Sequence, residues 1–160
     1  MIKMTKAPGP HPGSMKYAPV GDVENESDFA AIGEGGEKEI HVDCGGIRRC
    51  NSVGIKGWIQ TFKKLTGSGA QVFFYHLPPT LVDQLNILKH LLCGGKLVSI
   101  LLPYNCTGCS AEQLLVGKLT DIPAIQANPP KSKCGKCGAD TEFDDDPSQF
   151  FQFMNWIQKP

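Results

Sequence analysis

Glu39-Ile40-His41-Val42-Asp43-Cys44-Gly45-Gly46-Ile47-Arg48-Arg49-Cys50-Asn51-Ser52-Val53-Gly54-Ile55-Lys56-Gly57-Trp58 changes its hydrophobic period partway along. Glu39 to Cys44 alternates, with Ile40, Val42 and Cys44 on one face and Glu39, His41 and Asp43 on the other, which predicts a strand with one wet face. From Gly54 to Leu65 the apolar positions are Ile55, Trp58, Ile59, Phe62 and Leu65. That is helical spacing, and it leaves Lys56, Gln60, Lys63 and Lys64 for solvent. Asn51 or Ser52 supplies the N-cap, because a short polar side chain there can accept from an orphan amide of the first turn.

The same alternation of elements continues downstream. Gly67-Ser68-Gly69 stops the helix, Val72 to Leu77 reads as an aromatic and β-branched strand, and Pro78-Pro79-Thr80 opens a helix through Leu92. Gly94-Gly95 ends that helix, and Leu97 to Leu102 is a continuous apolar strand expected to be buried on both faces. Strand, helix, strand, helix, strand with short connections predicts an α/β fold, a mixed sheet with helices packed on it and parallel neighbours. Lys16 to Val23 reads as a short edge strand, demoted by Pro19, and Glu24 to Ile32 as a short helix. Residues 1–14, rich in proline and glycine, read as a flexible tail.

The chain has 160 residues and a formal net charge of zero, with 41% hydrophobic and 20% charged residues, which fits a globular domain rather than a disordered chain. The zero conceals segregation: residues 1–20 carry +3, 21–43 carry −7, 44–137 carry +8 and 138–160 carry −4. A generally basic nucleic-acid binder is excluded, while a local basic face is not. No apolar h-region opens the sequence, and Leu97 to Leu102 is far too short to cross a bilayer, so we expect a cytoplasmic protein without membrane insertion.

Seven cysteines is a high and odd count. In a reducing cytoplasm, clustered thiols favour metal over disulfides. Cys106-Thr107-Gly108-Cys109 and Cys134-Gly135-Lys136-Cys137 are two C-x2-C knuckles with 24 residues between them. Four thiolates converging on one ion form the tetrahedron Zn2+ takes in structural sites, with no open position for a catalytic water. A structural Zn2+ is therefore expected, with iron in a rubredoxin-like centre or a dithiol redox pair as alternatives. Cys44 and Cys93 read as small buried hydrophobes. Cys50 follows Arg48 and Arg49 just before a helix N-terminus, a setting that can lower a thiol pKa and leaves a thiol enzyme open as a reading. His11, His41, His76 and His90 assemble no triad by spacing.

Val42 to Trp58 resembles the STAS domain family, the fold shared by bacterial anti-sigma factor antagonists and sulphate-transporter tails. There a strand ending in "vDl.gv" runs into a "DSSG" or "DSxG" corner that opens an amphipathic helix, and the matching corner here is Asn51-Ser52-Val53-Gly54. The resemblance covers roughly residues 16–105. The whole chain also looks like a STAS-like protein with a C-terminal CxxC…CxxC module, which the stretch from Cys134 to Pro147 fits. The resemblance implies a docking surface for a regulatory partner such as an anti-sigma factor or kinase, made here by Asn51, Ser52, Val53, Gly54, Lys56, Gln60 and Lys63. In phospho-regulated members the acceptor is the second Ser or Thr of the corner. Val53 occupies that position and has no hydroxyl, so the usual switch is missing. Ser52 matches the first Ser and is the remaining candidate phosphosite, with an N-cap role as the competing explanation.

The sequence thus divides into a tail (1–14), a STAS-like domain (15–105), and a small zinc-ribbon-like module with a terminal helix (106–160). The expected role is non-enzymatic: a bacterial signalling module for protein–protein interaction. Nucleic-acid binding stays open through Lys131, Lys133 and Lys136 beside the knuckles, where a zinc ribbon can track phosphates. Asp146-Pro147 starts the terminal helix, with Phe150, Phe153, Met154 and Ile157 on one stripe. Phe151 and Trp156 are left to contact the body or another protein.

Overall fold

The computed structural model describes residues 2–157. Two sheets organise it. The first contains β1 (Ile2–Pro8), β2 (Ser14–Val23), β3 (Glu39–Asp43), β4 (Ile47–Cys50), β5 (Gln71–Tyr75) and β6 (Lys96–Leu97). Two helices cross between its strands, α1 (Ser52–Gly67) and α2 (Pro79–Ile87). β2 pairs antiparallel with β1 and parallel with β3, and β3–β5 and β5–β6 are also parallel, so the sheet is mixed as expected. The second sheet has the order β8-β7-β9, with β7 (Ser99–Cys106), β8 (Glu112–Lys118) and β9 (Thr141–Phe143) all antiparallel. Two short helices complete the chain, α3 (Ile122–Ala127) and α4 (Pro147–Phe150).

Several expectations change. The tail at residues 1–14 is not loose: β1 pairs with β2 from Ile2 through Pro8, and Ile2 and Met4 pack against the core. β2 is an interior strand of ten residues rather than a short edge strand. Pro19 is tolerated because β2 changes parallel partner there, leaving β3 after Tyr17 and meeting β4 at Gly21, so no ladder amide is required from it. The apolar run Leu97 to Leu102 breaks at Val98 into β6 of the first sheet and β7 of the second, and the two sheets meet at a Leu77–Ile100 bridge. The boundary placed at 105/106 therefore falls inside β7, and one hydrophobic core runs through both parts. α2 stops at Ile87 rather than Leu92, and Ile122–Ala127 forms α3.

The core is set by α1. Ile55, Trp58 and Phe62 are buried, with Ile59 and Leu65 half-buried, as the spacing predicts. Trp58 lies against Phe29 (5.3 Å), Phe62 (4.6 Å) and Phe74 (5.0 Å), measured between ring centroids, and its indole N–H donates to Leu91 O at 2.7 Å. The helix reaches the Val23–Glu26 backbone so closely that a Cβ on Gly54 would lie 2.5 Å from Val23 O, and one on Gly57 2.4 Å from Glu26 O. The terminal segment docks on this body: Asn86 of α2 donates to Phe150 O (2.9 Å) and accepts from Phe153 N–H (2.8 Å). Phe150, Phe151 and Phe153 are all buried, so the aromatic residues fold back on their own chain and not only as one helical stripe.

Gly57→Ala should lower stability by about 1–3 kcal/mol, because the clash is with backbone that cannot swing aside. Gly67→Ala, with open space around its Cβ, should be neutral or stabilising by up to about 1 kcal/mol. Denaturant midpoints of the two variants check this. Equal effects would mean that the close helix approach is not under steric constraint.

Candidate metal centre and the corner of α1

Both knuckles are built by the same backbone turn. After Cys106 the chain closes with Ser110 N–H donating to Cys106 O (3.1 Å) and Cys106 N–H to Ala111 O (2.9 Å). After Cys134 it closes with Gly138 N–H donating to Cys134 O (2.9 Å) and Cys134 N–H to Ala139 O (2.8 Å). The residue after each second cysteine takes a left-handed conformation, Ser110 at φ 63° and Gly138 at φ 75°. Glycine accepts this freely, while Ser110 pays a small strain cost. In each turn an amide two residues on points at the first sulfur, Gly108 N–H to Cys106 Sγ (3.2 Å) and Lys136 N–H to Cys134 Sγ (3.3 Å). The first knuckle is carried by the β7–β8 hairpin, and the second precedes β9, which pairs with β7. The sheet thereby closes the 24-residue gap.

The four sulfurs lie within 4.8 Å of one another, with Cys106–Cys137 at 3.4 Å and Cys109–Cys134 at 3.7 Å. A tetrahedral ion with metal–sulfur bonds of about 2.3 Å requires sulfur–sulfur edges of about 3.8 Å. The donor set therefore fits a structural metal, held by Cys106, Cys109, Cys134 and Cys137. The amides prepare it electrostatically: N–H groups of Cys109 and Gly108 lower the Cys106 pKa, and those of Cys137 and Lys136 bring Cys134 down to about 6. At Cys137 the Ala139 N–H favours the thiolate, but the crowding Cys106 and Cys109 sulfurs push it up to about 11. Four negative sulfurs at this spacing need a cation between them.

The other thiols are placed differently. Cys44 is wholly buried and its pKa is raised well above normal by desolvation. Burial, helped by the Asp28 charge, pushes Cys50 up to about 11, which reverses the activation expected from Arg48 and Arg49. Arg48 instead pairs with Asp22 at 3.4 Å.

The corner caps α1 through Asn51, whose Oδ1 accepts from Gly54 N–H at 2.8 Å. Ser52 is the first helical residue and not the cap. Asn51, Ser52, Val53, Lys56, Gln60 and Lys63 are exposed, Val53 at 46%, whereas Gly54 is buried against Val23 and offers no surface. Lys56 pairs with Glu26 at 2.8 Å. The basic run thus meets part of the acidic run in space, and Lys133 likewise pairs with Asp140.

Spacing did not reveal what the histidines meet. His76, at φ 53°, places Nδ1 3.0 Å from Asp43 Oδ1, and His11 and His41 both reach Glu39. His41, expected on a wet face, is 5% exposed because Phe73 stacks on it and Tyr75 leans over it. Only the Glu39-x-His41 alternation hinted at a shared face.

Among the described residues no helix is long and apolar enough to cross a membrane. No protein-family model matches the chain, and no curated protein sequence matches it.

In the metal-loaded chain at pH 7, Cys106, Cys109, Cys134 and Cys137 should resist alkylation until a chelator releases one equivalent of metal. Cys50 and Cys93 should label slowly, faster as pH rises toward their values of about 11. Mass spectrometry of labelled peptides reads this out. Rapid labelling of Cys50 near neutral pH would contradict its burial.

Proposed function

We propose that this chain is a non-enzymatic regulatory module for protein–protein interaction, similar in scaffold to the bacterial anti-sigma factor antagonists of the STAS family. The observation that carries the reading is the corner of α1: an exposed Asn51-Ser52-Val53 at the helix start, continued along the helix by exposed Lys56, Gln60 and Lys63. A half-exposed Val53 beside polar and basic groups gives a partner an apolar anchor with a polar rim. The raised Cys50 pKa removes support for a thiol enzyme. The pairing of Lys133 with Asp140 weakens the nucleic-acid reading.

We assign the ion in the four-cysteine site as structural Zn2+, since a closed tetrathiolate site suits a d10 ion without geometric preference. The metal released by chelation is then zinc rather than iron. Zinc would hold the β7–β8 hairpin to the segment before β9 and leave the corner free for its partner.

The test is affinity capture from the native cell with wild type and a Val53→Asp, Lys56→Glu variant. Specific partners should be lost from the variant while its circular dichroism is unchanged. Retention of every specific partner overturns the surface.

A second reading, phosphorylation of Ser52, is favoured by the cap assignment, because Asn51 leaves the exposed Ser52 hydroxyl without that role. A phosphate there would face the orphan amides of a 16-residue helix. Phosphopeptide mapping of the protein from growing cells should find modification at Ser52, and its absence across growth conditions would remove this reading.

A further inference from the structure

The sheet face turned away from α1 carries a second cluster of metal-ligating groups. His41 and Glu39 sit two residues apart on β3, so strand alternation places both side chains on this face. His11 arrives from the turn between β1 and β2, which brings it beside Glu39 because Ser14 stands opposite Glu39 in the β2–β3 register. Glu39 Oε1 lies 2.9 Å from His11 Nδ1 and 3.1 Å from His41 Nε2, and the three donor atoms fall within 4.8 Å of one another.

The groups are held, not merely adjacent. Ser14 Oγ accepts from His11 N–H at 3.0 Å and donates to His11 O at 2.6 Å. Pro10 and Pro12 flank His11 and restrict its backbone. The His41 ring is fixed on one side by stacking on Phe73, 4.9 Å between centroids and 10° between planes. Its Nδ1 lies 2.7 Å from the Tyr75 hydroxyl, the outer partner that sets the tautomer and orientation of a ligating imidazole. Without an ion, Nε2–H donates to the Glu39 carboxylate and Nδ1 accepts from the Tyr75 hydroxyl; on binding an ion, Nε2 gives up that proton and Nδ1–H donates to Tyr75 instead.

We propose that His11 Nδ1, Glu39 and His41 Nε2 form a second, separate metal site that takes a divalent transition ion such as Zn2+. Two imidazoles and one carboxylate are a borderline donor set suited to such ions rather than to Mg2+ or Ca2+. Bonds of about 2.0–2.1 Å need ligand edges of about 3.4 Å, so the carboxylate and rings move apart by a few tenths of an ångström on binding. His11, with 66% of its side chain exposed, can make that adjustment and leaves a fourth position open to solvent. Unlike the four-cysteine site, this one is open and exchangeable. It would clamp the β1–β2 turn onto β3.

The test is isothermal titration of Zn2+ into the full chain already carrying one equivalent in its thiolate site. Wild type should bind one further equivalent saturably. His11→Ala and Glu39→Gln should weaken that step at least tenfold, and Tyr75→Phe measurably, as outer-partner changes do. His90→Ala, at an exposed histidine outside the cluster, should bind as wild type does. Circular dichroism and retention of the first equivalent show that the variants remain folded. Absence of a second saturable step, or equal binding by wild type and His11→Ala, overturns the site and leaves these contacts as a hydrogen-bonded strap.

Discussion

The burial of Trp58 is the constraint on which the first sheet depends. An indole takes a large volume into the core and carries an N–H that cannot be left unpaired there. The volume is matched by Phe29, Phe62 and Phe74, and the N–H by Leu91 O, which fixes the path of the chain after α2. This geometry requires α1 to lie almost on the Val23–Glu26 backbone, and glycine at positions 54 and 57 permits it. The corner that begins α1 is therefore rigidly held from below while its outer residues stay exposed.

The second dependence is β7. Ile100 near its start bridges to Leu77 beside the first sheet, Ser99 to Asn105 pair with β8, and its last residue is Cys106. A single strand thus transmits the position of the sheet to the thiolate site. The aromatic residues after β9 reinforce the junction: Phe143 stacks on Phe151 at 5.7 Å and meets Tyr104 edge-on at 5.6 Å, while Asn86 holds the following turn. A metal in the four-cysteine site would stabilise a structure already sharing its core with the rest of the chain, not an independent appendage.

The two faces of the first sheet differ in chemistry because β-strands alternate. Ile40, Val42, Val72 and Phe74 take the buried positions, and α1 meets Phe74 through Trp58 and Phe62. Glu39, His41, Asp43, Phe73 and Tyr75 take the other set, where carboxylates and imidazoles approach one another. Charge segregated along the sequence becomes partly paired in space, through Arg48–Asp22, Lys56–Glu26 and Lys133–Asp140.

Local pattern was sufficient for β3, α1 and β5 and for singling out the four thiols that the fold brings together, since period and C-x2-C spacing are properties of neighbouring residues. It also placed the terminal cap at Asp146, whose carboxylate accepts from Ser148 N–H at 2.9 Å. Pairing between distant segments was not legible. A Pro- and Lys-rich opening has weak strand character by itself and becomes β1 only because β2 offers it a full ladder. Leu97 to Leu102 looks like one strand because burial on both faces erases periodicity, and only the packing of two sheets decides where it breaks. The meeting of His11 with Glu39 and His41 likewise depends on register across β2 and β3, a long-range quantity that composition and spacing do not encode.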